Sequence, residues 1–87
     1  MALYESRVGH HSPSQLFVSD FDSHIIQVFD PDTGAKMRTI GSGRGNGEGQ
    51  LSYPIGLVIG GDVDDPMVYV ADRVNDRIQV FKVLTGE

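Results

Sequence analysis

An internal repeat constrains the fold of this chain more than any other feature. Residues 16–34 align with residues 68–86 at a constant offset of 52, and eight of the nineteen aligned pairs are identical. The identical pairs are Val18/Val70, Asp20/Asp72, Ile26/Ile78, Gln27/Gln79, Val28/Val80, Phe29/Phe81, Thr33/Thr85 and Gly34/Gly86. A repeat of this spacing, built from strands, is typical of a propeller blade or a similar array.

Each copy of the repeat has the pattern of a β-hairpin, because two short alternating apolar runs flank a polar turn. The first copy predicts strands over 15–19 and 25–29, and the second over 67–71 and 78–82. In the run 30–34, Pro31 and Gly34 favour a tight turn. We therefore expect a third antiparallel strand over 36–40, with Met37 and Thr39 on one face and Arg38 and Ile40 on the other.

The remaining segments complete an all-β prediction without a helix. An edge strand is expected within 2–8, and the apolar run 55–59 predicts a strand buried on both faces. The glycine-rich run 41–49 has too few side chains to pack, which indicates a linker. The chain then divides into a first blade over 1–40, an inter-blade loop over 41–54, and a second blade over 55–87 that lacks its last strand.

One stretch of the chain combines a glycine-rich loop with a specific set of residues around the second hairpin. After the loop come Gln50, Leu51, Pro54, Gly56, Leu57, Val68, Tyr69, Val70, Ala71, Asp72, Asn75, Arg77, Ile78, Gln79, Val80 and Phe81. This stretch resembles the NHL repeat, a blade of the β-propellers found in tripartite-motif ubiquitin ligases and in several extracellular and bacterial proteins. A departure from the family pattern is Asp76, where the family usually has His. The upstream copy matches less closely.

The resemblance implies antiparallel four-stranded β-meander blades of a β-propeller, of which this chain supplies about two. Propellers of this family close with about six blades. A pair of blades leaves two apolar sheet faces and open strand edges, since each blade buries its faces against its neighbours. We therefore expect the ring to be completed by self-association or by the rest of a longer chain.

Four residues of the hairpins are predicted to hold the turns. Asp20 and Asp72 end equivalent strands, where a carboxylate accepts hydrogen bonds from backbone amides of the following turn. Asn75 is expected to adopt left-handed φ, and Arg77 to pair with an acid.

Other residues of these turns have no such structural duty and are candidates for binding. In propellers the loop between the second and third strands lies on the same face as the loop joining the blades. We therefore expect one top face where aromatic and Arg side chains suit an interface. The candidates are Phe21, Asp22, His24, Arg44, Asn46, Arg73, Val74 and Asp76.

Composition bears on several classes of function. Twelve acidic residues against seven basic ones give a net charge of −5, which disfavours nucleic acid. Cysteine is absent, which excludes disulfides. No apolar run approaches the roughly 20 residues of a membrane span, and no signal peptide is visible. We predict no membrane association, and the compartment stays open with the cytoplasm favoured.

Catalytic and cofactor chemistry finds little support in the sequence. The spacing of His10, His11 and His24 fixes no metal geometry, so we predict no metal, cofactor or catalytic residue. The leading prediction is a non-catalytic module that binds a protein partner. The alternatives are a fragment of a propeller enzyme, of lyase or lactonase type with a metal in the central channel, and an RNA-binding propeller.

Overall fold

The fold is described by a computed structural model covering residues 2–4, 14–62 and 65–84. These residues form seven β-strands and no helix, which confirms the all-β prediction. No helix in this part of the chain has the length and hydropathy needed to cross a membrane. The strands are β1 (Ala2–Tyr4), β2 (Gln15–Asp20), β3 (Ile25–Phe29), β4 (Lys36–Ile40), β5 (Pro54–Asp62), β6 (Asp65–Asp72) and β7 (Arg77–Lys82).

The first sheet is an antiparallel meander in the order β1-β2-β3-β4. It consists of three strands of five or six residues and the three-residue β1 at its edge. The edge strand expected within 2–8 is therefore present, although Val8 lies outside the described residues. In β4, Met37 is exposed and Ile40 is buried, so the predicted alternation of faces is confirmed.

The turn over 30–34 has the predicted chemistry. The amide of Gly34 donates to the carbonyl of Asp30 at 2.8 Å, and Gly34 has a φ of 77° that glycine adopts without steric cost. The carboxylate of Asp30 also accepts from the amide of Asp32 at 2.8 Å. The turn reverses the chain and brings β4 back beside β3.

The second sheet is an antiparallel meander of three strands in the order β5-β6-β7. Its register places Val58 beside Tyr69 and Tyr69 beside Val80. A register shift between Pro54 and Gly56 marks an irregularity at the start of β5. Among the described residues, the second sheet therefore has three strands.

The hydrophobic core lies between the two sheets. The first sheet contributes four buried side chains, and the second contributes two together with residues that flank its strands. Alternation along each strand directs every second residue to this core, and the intervening residues point the other way. The buried members are Phe17, Ile26, Val28, Ile40, Leu51, Val68, Val70 and Val83.

The prediction that the run 55–59 is buried on both faces is wrong. Ile55 is 53% exposed and Val58 is 63% exposed, while Leu57 and Ile59 pack against the core. Only one face of the second sheet packs against the first sheet. The apolar residues on the other face of β5 are consequently left at the surface.

A polar contact ties the first sheet to the segment that follows β7. Gln15 is fully buried, its side-chain Nε2 donates to the carbonyl of Leu84 at 2.7 Å, and its Oε1 accepts from Arg38 Nη1 at 2.6 Å. The guanidinium of Arg38 also lies 5.7 Å from the ring centroid of Phe17. Burial lowers the pKa of Arg38, because a low-dielectric environment disfavours its charge.

Candidate binding surface at the turn end of the sheets

Two equivalent turns, over 21–24 and 73–76, connect β2 to β3 and β6 to β7. Each ends on a residue in the left-handed region, His24 with φ 59° and Asp76 with φ 51°, and these two positions are related by the repeat offset. The residue with left-handed φ is therefore Asp76 and not Asn75, which corrects the prediction for this turn. The two turns therefore share a left-handed residue at the same position, although the residue types there differ.

The glycine-rich segment joins β4 to β5, and backbone hydrogen bonds hold it as an organised loop. The amide of Ser42 donates to the carbonyl of Gly49 at 3.0 Å, and the amide of Leu51 donates to the carbonyl of Gly43 at 3.2 Å. Leu51 is fully buried in the core. Backbone hydrogen bonds and one apolar anchor replace the side-chain packing that the sequence lacks.

The carboxylate of Asp72 is the centre of the contacts that hold this loop. Asp72 is fully buried at the end of β6. Its Oδ1 accepts from the amide of Ser52 at 2.7 Å, and its Oδ2 accepts from Asn75 Nδ2 at 2.9 Å and from Arg77 Nε at 2.8 Å. The backbone amide that donates to Asp72 thus lies in the preceding loop. The sequence predicted an amide of the following turn instead.

These contacts determine the charge state of Asp72. Burial alone would raise its pKa, but hydrogen bonds from Asn75, Ser52 and Arg77, together with the charge of Arg77, outweigh burial and hold the pKa below its ordinary value. Asp72 is therefore an ionised, fully hydrogen-bonded group at neutral pH. A carboxylate in this state is suited to a structural role and poorly suited to proton transfer.

Three side chains of the second hairpin extend the contacts along the loop. Arg77 donates to the carbonyls of Asn46, Gly47 and Gln50 at 2.9, 2.9 and 2.7 Å. Asn75 Nδ2 also donates to the carbonyl of Gly45 at 2.8 Å. Gln79 donates from Nε2 to the carbonyl of Gln50 at 2.6 Å and accepts from the amide of Gly49 at 3.1 Å.

The equivalent acid of the first repeat has simpler contacts. Asp20 is half-buried, and its carboxylate accepts from the amide of Ser23 at 3.3 Å and from Gln27 Nε2 at 2.6 Å. Ile25 occupies the position equivalent to Arg77. The first turn therefore has no guanidinium at this position to bind a loop in the manner of Arg77.

An aromatic cluster connects the first turn to the same loop. The ring of Tyr53 lies 4.8 Å from that of Phe21 and 4.5 Å from that of His24, measured between centroids, and the His24 contact is edge-on. The guanidinium carbon of Arg44 lies 5.8 Å from the Tyr53 ring centroid. These separations are typical of aromatic and cation–π contacts.

The backbone of Tyr53 also contacts the first turn. Its amide donates to His24 Nδ1 at 3.0 Å, so the proton of a neutral His24 imidazole resides on Nε2. Tyr53 has a φ of 54°, in the left-handed region. Sequence reasoning did not select Tyr53, although an aromatic residue directly before Pro54 at the end of a glycine-rich loop is a visible signal.

The structure brings the predicted binding residues together only in part. Phe21, His24 and Arg44 meet around Tyr53, and Asn46 meets the second hairpin through its carbonyl. Val74 donates its amide to the carbonyl of Ser52 at 3.1 Å and leaves its side chain 52% exposed. Three candidates are exposed on the turns without a described role in the cluster, and they are Asp22, Arg73 and Asp76.

Within the described residues, no three His, Cys, Asp or Glu side chains are grouped so that they could hold a metal ion. His24 instead accepts a backbone hydrogen bond from Tyr53. His10 and His11 lie outside the described residues.

Comparison of the chain with models of protein families, with curated proteins and with solved structures gave no significant match.

Proposed function

We propose that this chain is a non-catalytic protein-binding module made of two NHL-type blades of a β-propeller. The recognition surface consists of the turn over 21–24, the loop residues Arg44 and Tyr53, and the turn over 73–76. We call this surface the top face. The two antiparallel meanders that pack face to face and the repeat that relates them support the propeller assignment.

The observation that carries the proposal is the aromatic cluster around Tyr53. Phe21 is 40% exposed while its ring rests on Tyr53, and Arg44 is exposed beside the same ring. Trp, Tyr and Arg are enriched among the side chains that contribute most of the binding energy at protein interfaces, and aromatic rings bury a large area on binding. The neighbouring Arg73 and Val74 extend the exposed surface.

The backbone conformation of this region also supports a binding role. Among the described residues, the non-glycine positions with left-handed φ are His24, Tyr53 and Asp76, and all three lie at the top face. Such conformations cost of order 1 kcal/mol each and concentrate at functional sites. The top face is therefore positioned before a ligand arrives, which reduces the entropy lost on binding.

The proposal can be tested by phage display. The full 87-residue chain serves as bait, and peptides that bind it are selected from a random library. The affinities of the selected peptides are then measured by fluorescence anisotropy for the wild type and for Phe21→Ala, Arg44→Ala and Arg73→Ala. We expect at least one of these variants to weaken binding about tenfold or more, the scale of a hot-spot side chain.

Met37→Ala is the matched control, because Met37 is a 38% exposed apolar side chain on β4 and lies outside the top face. Its affinity should equal that of the wild type. Recovery of no peptide, or of peptides whose affinity is unchanged in all three top-face variants, would contradict the proposal.

A further inference from the structure

One face of the second sheet is apolar and open to solvent. Val58, Tyr69 and Val80 form one row across its three strands, and Ala71 and Ile78 form part of the next. Val58, Ile78 and Val80 are 63%, 62% and 51% exposed. We call these five residues the outer face of the second sheet. A contiguous apolar surface of this kind marks an interaction site.

The repeat shows how the same kind of surface is used elsewhere in the chain. At the offset of 52, Tyr69, Ile78 and Val80 correspond to Phe17, Ile26 and Val28 of the first sheet. All three of those residues are fully buried in the core between the sheets. Equivalent apolar side chains are therefore buried in the first repeat and exposed to solvent in the second.

The core face of the second sheet, which covers these three residues of the first sheet, also has an equivalent surface elsewhere in the chain. On the core side of the second sheet, Val68 and Val70 are fully buried and Phe81 packs against them. These residues correspond to Leu16, Val18 and Phe29 of the first sheet. Alternation places this second trio on the side of the first sheet that faces away from the core, where each residue is half-buried. We call the trio the outer face of the first sheet.

We propose that the outer face of the second sheet binds the outer face of the first sheet of a second copy of this chain. Within one chain, the core face of the first sheet packs against the core face of the second sheet. The outer face of the second sheet is equivalent to the former and the outer face of the first sheet to the latter, so two chains can repeat the same contact. A contact of this type is head-to-tail, so it closes into a ring or extends as a filament.

The 87-residue chain itself tests this inference, by sedimentation equilibrium across a dilution series from micromolar to near-millimolar concentration. At high concentration we expect a mass of at least twice that of the 9.5 kDa chain, and at low concentration the mass of one chain. Val80→Lys on one outer face and Val18→Lys on the other should each weaken association about tenfold or more. Circular dichroism verifies the fold of each variant, and Val80→Ser and Val18→Ser replace any Lys variant that is unfolded.

Mixing the two variants distinguishes the head-to-tail contact from any other. Each variant retains one intact face, so an equimolar mixture should form a heterodimer that neither variant forms alone. Ala35→Lys is the matched control, since Ala35 is exposed in the turn before β4 and belongs neither to the top face nor to either outer face, and its association should equal that of the wild type. A monomeric wild type at all concentrations, or association that Val18→Lys leaves intact, would overturn the inference.

Discussion

Replacement of Asp72 by Asn should destabilise the fold far more than the same replacement at Asp20. The two residues occupy equivalent positions, yet Asp72 is fully buried under hydrogen bonds from Ser52, Asn75 and Arg77, while Asp20 is half-buried. In Asp72→Asn, the amide oxygen still accepts from Ser52. The new amide group, however, directs N–H donors at Asn75 and Arg77, which are themselves donors.

The magnitude follows from the bonds that are lost. Hydrogen bonds to a charged group contribute about 1.5–3 kcal/mol each. We use the low end, because the side chain of Arg77 is 30% exposed and keeps its loop carbonyls. Two such bonds give a loss of about 3 kcal/mol in the free energy of unfolding. That is a large fraction of the roughly 4–13 kcal/mol expected for a chain of this length.

Asp20→Asn should cost less than about 1 kcal/mol, because the amide of Gln27 can rotate to accept from the new donor and the bond from Ser23 persists. Urea unfolding followed by far-ultraviolet circular dichroism, at neutral pH and one protein concentration, measures both variants. Equal losses in the two variants would refute the reasoning, because they would show that the contacts of Asp72 with the loop add nothing to an ordinary turn bond.

Two further predictions concern the same loop and its neighbouring turn. The free energy of unfolding should fall as the pH drops below about 3.9, which is the pKa of an unfolded Asp. The pKa of Asp72 is lower in the folded state, so the stabilisation that its carboxylate provides is lost as the pH falls through that lower pKa. Acid titration of the unfolding midpoint measures this loss, and a slope unchanged in Asp72→Asn would contradict it. Gly47→Ala should cost about 1 kcal/mol, because the added Cβ would lie 2.8 Å from Gln50 Oε1, which accepts from the Gly47 amide. Most of that cost should vanish in a Gln50→Ala background, whereas the cost of Gly34→Ala, which arises from its φ of 77° alone, should be the same in both backgrounds.

The strands could be predicted because their signals are local. Alternating apolar residues and turn residues such as Pro31 and Gly34 lie within a few positions of the structure they specify. The strand over 36–40 and its two faces were read from five residues and one turn. The same argument placed both hairpins of the repeat.

The candidate surface was predictable only in outline. The turns and Arg44 were selected because loops at one end of a sheet lie together, but Tyr53 was missed and the contacts that hold the loop over 41–49 were not predicted. The contacts that organise this loop come from residues far along the chain, such as Arg77 and Gln79. Composition of the loop alone contains no information about those partners.

The sequence by itself determined the repeated hairpin, since both copies contain the same alternation of apolar residues on either side of a polar turn. Tertiary structure decided which face of each hairpin is buried. Val28 and Val80 are identical residues at equivalent positions, yet Val28 is fully buried and Val80 is 51% exposed. The difference arises because a neighbouring sheet covers one of them within this chain, and burial depends on what packs against a face as well as on the residues that form it.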